Sequence, residues 1–179
     1  MTIDDVAVGE LSTPVGQVAV AATHDGLAAV GWCSPAALAG RCGAPVTTDE
    51  GRVAPVLAQL AAYFRGERRG FDLPIDWRFT AAGSQRDVLQ ALHARIGFGT
   101  STTYGELAVL SGTGVPARGI GAIMGSNPIP IVVPCHRVLA HDGLGGYSGG
   151  SGRDSLEVKR WLLALEGVLP PTLDWTGPS

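Results

Sequence analysis

Between Asn127 and Val138 the chain reads Asn-Pro-Ile-Pro-Ile-Val-Val-Pro-Cys-His-Arg-Val, and no other segment restricts the fold as much. Proline lacks a backbone N–H and has a fixed φ, so Pro128, Pro130 and Pro134 rule out a helix here. The apolar run from Ile129 to Val133 predicts a short buried strand instead. That strand would deliver Cys135, His136 and Arg137 in succession. A free thiol, with a pKa of about 8.5, is mostly protonated at neutral pH, and an adjacent imidazole or guanidinium raises its thiolate fraction. Cys135 is therefore a candidate nucleophile. A buried structural cysteine beside an ordinary His-Arg pair explains the same residues equally well at this point.

The 179 residues, 45% of them hydrophobic, suffice for one domain or two small ones. No apolar run reaches the roughly 18 to 20 residues of a membrane span, and Met1-Thr2-Ile3-Asp4-Asp5 lacks the basic and apolar regions of a signal peptide. A soluble cytoplasmic protein with no membrane partner is expected. Cys33, Cys42 and Cys135 are an odd number with no Cys-x-x-Cys pair, which speaks against a disulfide framework or a ribbon-type zinc site. The net charge of −3 excludes a protein that holds nucleic acid by bulk electrostatics. The charge is uneven, however: six arginines face nine acidic residues in 1–79, and seven basic residues face six acidic ones in 80–167. Any DNA contact belongs to the second part.

From Gly9 to Trp32, short apolar stretches alternate with turn signals at Thr13-Pro14-Val15-Gly16 and His24-Asp25-Gly26, the pattern of a three-stranded antiparallel meander. Pro35 to Glu50 shows no convincing period. Val53, Val56, Leu57, Leu60 and Phe64 then recur at helical spacing and predict a helix over the sheet. Arg65 to Gly83 reads as a polar connector, which places a domain boundary near residue 80, with domains at 1–79 and 80–179. A helix is expected over Ser84–Ile96, ended by Gly97 and Gly99. Thr103-Tyr104-Gly105-Glu106 fits a capping box that opens the next helix. After Ser111-Gly112-Thr113-Gly114, a third helix is expected from Pro116, a favourable first helical residue, to about Gly125. Two short helices joined by a glycine turn are a helix-turn-helix candidate, although any two packed helices need such a turn. A last helix is expected over Leu156–Glu166. The fold class is α+β.

Several blocks together resemble the O6-alkylguanine-DNA alkyltransferases. They are Asn127-Pro128, the run Pro134 to Val138, and Gly146-Tyr147-Ser148-Gly149-Gly150. Upstream, Thr103 to Ala108 and Ala117-Arg118-Gly119-Ile120-Gly121 are similar to the family's helix-turn-helix; downstream, Lys159-Arg160-Trp161-Leu162-Leu163 and Glu166-Gly167 are similar to its last helix. The similarity covers residues 80–167 closely, and more loosely the N-terminal sheet, Tyr63-Phe64 and Phe71-Asp72. It implies a ribonuclease H-like N-terminal sheet domain and a mostly helical C-terminal domain with a winged-helix-like helix-turn-helix.

The resemblance also implies an activity, that of a methylated-DNA–protein-cysteine methyltransferase. A damaged guanine is flipped out of the duplex, because its alkylated oxygen is out of reach inside the stack, and Cys135 takes the alkyl group irreversibly. His136 would receive the thiol proton through a water, with Glu166 orienting it. Tyr104 would serve the departing guanine, and Asn127 would brace the turn before the active-site strand. Arg118 would fill the gap left by the flipped nucleotide. Thr103, Gly119, Ala122 and Arg137 would join it at the minor groove, where small residues permit close approach. Val138, Tyr147, Ser148 and Gly149 would line the substrate pocket. The expected partner is double-stranded DNA carrying O6-alkylguanine, or O4-alkylthymine, bound by a monomer without a cofactor.

Departures from the family pattern fall at Ser84, Leu89 and Gly97, at Gly125-Ser126, which lacks a basic residue, and at a longer Gly150–Leu156 segment expected to tune access to the pocket. A binding-only, alkyltransferase-like lesion protein is the alternative, and Cys135 argues against it. A cysteine hydrolase pairing Cys135 with His136 is disfavoured because neighbours on a strand point to opposite faces. A zinc held by Cys33, Cys42 and His24 has no close ligand spacing behind it, so no metal is expected.

Overall fold

The computed structural model describes residues 5–150 and 155–170. Strands β1 (Val6–Thr13), β2 (Gly16–Thr23) and β3 (Gly26–Gly31) form the expected meander, paired in antiparallel register from Thr13↔Gly16 to Ala7↔Ala22 and from Thr23↔Gly26 to Ala19↔Gly31. A two-residue strand β4 (Val46–Thr47) adds to β1 in parallel, giving the order β3-β2-β1-β4. Alternate residues of β2 serve two cores. Val18, Val20 and Ala22 join the main core, which includes Val53, Val56 and Leu60 of α2 (Glu50–Phe64). Ala19 and Ala21 join Leu38 and Ala39 of α1 (Pro35–Cys42) in a smaller cluster.

Helix α1 lies in the stretch where no period was legible. It has only two buried residues to signal a face, but its ends carry clear local chemistry. The Ser34 side chain accepts from the Ala37 N–H, Pro35 opens the helix, and Gly43 closes it with φ 63°. The connector is also less free than its polarity suggested. Leu27 N–H donates to the Pro74 carbonyl (2.9 Å) and Asp76 N–H to the Leu27 carbonyl (2.8 Å), which ties residues 74–76 along the edge of β3.

Four helices build the second part: α3 (Ser84–Arg95), α4 (Tyr104–Ser111), α5 (Ala117–Gly125) and α6 (Ser155–Leu165). The capping box is formed, with Glu106 N–H donating to Thr103 Oγ1 (3.1 Å) and Thr103 N–H to Glu106 Oε2 (2.9 Å). Pro116 proves to be the cap before α5 rather than its first residue, since its ψ of 162° is extended. The short strands β5 (Thr102–Thr103) and β6 (Val138–Leu139) pair in parallel and tie the start of α4 to the segment after Cys135. Leu89, Leu107, Ile120, Ile131 and Leu162 share one buried cluster with Val20 and Leu60, so a single core runs through both parts. Among the described residues no helix is long and apolar enough to cross a membrane.

The expected strand over Ile129–Val133 is not formed. The segment is buried but folds into consecutive tight turns, with Val133 N–H on the Ile129 carbonyl and Val132 N–H on the Pro130 carbonyl, both 2.9 Å. Two prolines remove ladder donors, and the Asn127 side chain substitutes for a neighbouring strand. Its Oδ1 accepts from Ile129 N–H (3.0 Å) and its Nδ2 donates to the Val133 carbonyl (2.8 Å). At the tip, Ile131 adopts φ 73°, a conformation that β-branched residues rarely take. Such strain is of order 1–3 kcal/mol. Fully burying the isoleucine side chain contributes about 1.5–3 kcal/mol, enough to offset it. The apolar composition recorded burial, not extension.

Candidate active site

The turn braced by Asn127 leads into a 3-10 turn, Cys135–Arg137, that sends Cys135 to a cavity and both His136 and Arg137 to Glu166. Cys135 borders a cavity of about 260 Å³ framed by Tyr104 at the start of α4, Gly121 and Met124 on α5, and the loop Gly146–Ser148. Burial pushes the Cys135 thiol up. A hydrogen bond with Asn127, the Lys159 charge and the backbone N–H groups of Cys135 and His136 offset this only in part. The sequence had suggested that His136 and Arg137 would lower the thiol pKa. They do not, because both are directed at Glu166. Burial thus favours the protonated form of the thiol.

His136 is fully buried, and its Nε2 lies 2.9 Å from Glu166 Oε1. Burial raises the carboxyl pKa of Glu166, but hydrogen bonds and charge from His136 and Arg137 outweigh that effect and hold it at about 2. An ionised carboxylate only accepts, so Nε2 carries the proton and Nδ1 keeps a lone pair. That Nδ1 is buried and has no hydrogen-bond partner among the described residues. Burial also lowers the His136 pKa, against the pull of Glu166 and with the help of the Arg137 and Lys159 charges. The imidazole is thus neutral at rest, with a free basic nitrogen.

Arg137 was expected at DNA, and its position corrects that expectation. It is buried, with Nη2 at 2.7 Å from Glu166 Oε1, Nε at 2.9 Å from Oε2, and Nη1 donating to the Ile96 carbonyl at 2.7 Å. A two-pronged buried ion pair leaves no guanidinium face for phosphate. Lys159 of α6 is a second buried cation. Its Nζ donates to the Val138 carbonyl (2.7 Å) and the Gly146 carbonyl (2.8 Å), clasping β6 to the pocket loop. Burial lowers the Lys159 pKa to about 8, with Cys135 pulling the other way.

The loop itself is fitted to two tyrosines. A side chain at Gly145, which has φ 71°, would come within 2.7 Å of the Tyr104 hydroxyl, and one at Gly149 would collide with the Tyr147 ring. Tyr147 packs edge-on against Trp32 of the N-terminal sheet at 6.2 Å, and its hydroxyl is buried without a partner among the described residues. The Ser148 hydroxyl donates to the Gly125 carbonyl (3.3 Å), which joins the loop to the end of α5. On α5, Arg118, Ala122 and Gly125 are exposed. Gly119 has a reason of its own to be small, since a Cβ there would lie 2.6 Å from Val115 Cγ1.

The match to known proteins follows this division into sheet and helices. Residues 8–77 match the ribonuclease-like domain, and residues 83–168 the DNA binding domain, of 6-O-methylguanine DNA methyltransferase. A fold match agrees: the crystal structure of Mycobacterium tuberculosis OGT in complex with DNA superposes with a TM-score of 0.74 at 34% identity, covering 91% of this chain and 94% of that one. The chain belongs to the 6-O-methylguanine DNA methyltransferase family. Methylated-DNA–protein-cysteine methyltransferases of Mycolicibacterium paratuberculosis and Mus musculus are 46% and 43% identical over 63% and 62% of the chain. These alignments span 64% and 53% of the two relatives' own lengths.

Within this methyltransferase fold, Cys135, Tyr104, Tyr147 and Ser148 meet at the cavity, whereas Val138, held through its carbonyl by Lys159, and Gly149 do not line it. His136 and Glu166 form the polar chain behind it. Two residues given no role from sequence, Tyr63 and Lys159, belong to the same assembly. Both had a faint signal: Tyr63 falls three residues after Leu60 on the buried face of α2, and the chain's one lysine falls on the apolar stripe of α6 beside Leu162 and Leu163. Among the described residues no three His, Cys, Asp or Glu side chains converge on a metal-sized site. Cys33, just before α1, and Cys42, its last residue, pack against the same small cluster, and among the described residues no third ligand joins them. The Gly150–Leu156 segment lies largely outside the described residues.

Proposed function

We propose that the chain repairs O6-alkylguanine in double-stranded DNA by moving the alkyl group onto its own Cys135, once per molecule. The observation that carries this reading is a protonated thiol open to a cavity, with a neutral imidazole backed by a carboxylate directly behind it. Cys135 Sγ attacks the alkyl carbon; the carbon–sulfur bond forms as the carbon–oxygen bond breaks. The thiol proton passes through a water to His136 Nδ1, and Glu166 stabilises the imidazolium through Nε2. Tyr104 lies at the cavity wall, where its hydroxyl serves the departing guanine. The backbone near Ser148 donates to the alkylated oxygen, and the Cys135 and Val138 carbonyls receive the guanine amino group. The Val138 carbonyl keeps a second lone pair beside Lys159 for this purpose. A thioether is not hydrolysed, so the thiol is not regenerated.

The protein acts as a monomer in the cytoplasm, with a domain boundary near residue 80 and no cofactor. Helix α5 enters the minor groove, where Ala122 and Gly125 allow close approach, with Thr103 and Gly119 beside them. Arg118 stands exposed at the second position of α5, placed to enter the stack as the damaged base leaves. Arg118→Ala is expected to slow methyl transfer from duplex DNA by tenfold or more, since lost stacking is worth a few kcal/mol per step. Transfer from a short single strand, where no stack must be refilled, should change little. Equal losses on both substrates contradict the wedge role. The activity itself is tested by mixing the protein with excess duplex carrying labelled O6-methylguanine. Transfer should plateau at one methyl group per chain, and continued turnover or no transfer refutes the proposal.

A further inference from the structure

The carboxylate behind His136 is held by more than its catalytic neighbour. Glu166 Oε1 accepts from His136 Nε2 (2.9 Å), from Arg137 Nη2 (2.7 Å) and from the Tyr63 hydroxyl (2.9 Å). Tyr63 comes from α2, in the N-terminal sheet domain, 103 residues away in sequence. Its ring packs against Phe64 (5.4 Å), Phe71 (5.3 Å) and Phe98 (6.3 Å), a site that phenylalanine would fill equally well. Burying a hydroxyl without a partner is costly, and this fully buried one is satisfied by the carboxylate behind His136. Burial and the nearby Glu166 raise the phenol pKa well above its ordinary value, so it remains a donor.

We infer that Tyr63 is a positioning residue of the proton relay: by taking a share of Glu166 Oε1, it sets how strongly that carboxylate stabilises a protonated His136. The inference rests on the proposed role of His136 as base. Three side chains compete for one oxygen, Arg137 with its Nε (3.2 Å) as well as its Nη2, and each dilutes the charge felt by the other two. His136 needs enough of that charge to accept the thiol proton, yet must release its own proton at neutral pH to be ready. Glu166 alone would overcharge it. Arg137 and Tyr63 moderate the carboxylate, and Tyr63 does so without adding a positive charge beside the imidazole. The groups with an electrostatic influence on His136 are Glu166, Arg137 and Lys159; Cys135 precedes it in the chain, and Tyr63 and Tyr147 feel the charge of the same carboxylate. Of these, Tyr63 is the one supplied by the N-terminal sheet domain, which gives that domain a direct part in the chemistry.

The test is Tyr63→Phe, which keeps the ring and removes the shared donor. With one donor fewer, Oε1 becomes the better acceptor for imidazolium, so the His136 pKa rises. The expected result is an upward shift of roughly half a pH unit or more in the His136 ring titration, followed by NMR of histidine-labelled protein. The acid limb of the transfer rate should move to higher pH by the same amount. Phe64→Leu serves as the packing control: it should lower the melting temperature and leave both titrations in place. Coincident titrations in wild type and Tyr63→Phe, a downward shift, or an equal shift in Phe64→Leu overturn the inference. The NMR readout does not depend on alkyl transfer. A shifted ring in a protein that accepts no methyl group would sustain the role of Tyr63 and refute the proposed function.

Discussion

Glu166→Gln is expected to destabilise the protein by about 3 kcal/mol or more and to slow methyl transfer at least a hundredfold. The stability loss follows from the site. Arg137 would keep its charge in a buried position with its counterion gone, and breaking one side of a buried pair costs about 3–5 kcal/mol. The amide would also turn a donor toward His136 Nε2, Arg137 or Tyr63, each of which is itself a donor. The rate loss follows from the proton path. Without the carboxylate, the imidazole has nothing to fix its tautomer or stabilise its protonated form, and general base catalysis contributes about 10²–10⁴-fold.

The same residue sets an acid dependence with a definite sign. The Glu166 carboxyl falls from 4.5 to about 2 on folding. A lowered carboxyl pKa contributes stability that is complete above pH 4.5 and is lost as pH falls toward about 2. A depression of this size corresponds to about 3 kcal/mol, of the same order as the pair-breaking figure. Urea unfolding of wild type and Glu166→Gln should therefore show a wide gap at pH 6 that narrows steadily below pH 4.5. A gap that is constant with pH would mean that the carboxylate is not ionised against its neighbours.

What could be read from the sequence was mostly local. The cap at Thr103, the stripe Val88, Leu89, Leu92 and the meander turns are decided by residues within a few positions of one another, and the structure reproduces them. Helix α1 was hidden because eight residues with two buried positions make no visible period, although Ser34 and Pro35 carried its start. Ile129–Val133 misled because a buried turn and a buried strand share a composition, and only the prolines and the Asn127 side chain decide between them. Cys135 stood out as a candidate nucleophile through its surrounding blocks. Its electrostatics were not: Arg137 beside Cys135 in sequence suggested an activating charge or a phosphate contact, and the fold spends that charge on Glu166. Tyr63 and Lys159 were out of reach for the same reason, since each takes its meaning from partners in distant segments.

Cys135→Ser is expected to abolish methyl transfer altogether while the fold remains. Serine fits the site, yet its hydroxyl ionises far less readily than a thiol and is a much weaker nucleophile toward an alkyl carbon. Cys33 and Cys42 offer no substitute, because they are half-buried at the two ends of α1 and do not line the cavity of Tyr104 and Tyr147. Transfer onto either would place the chemistry outside the relay of His136 and Glu166. The most direct measurement is intact mass and peptide mapping after the protein meets excess duplex DNA with a single O6-methylguanine. The account predicts a gain of one methyl group per chain, located on Cys135 and absent from Cys135→Ser. An unchanged mass, a methyl group on another residue, or a gain that survives in Cys135→Ser would contradict it.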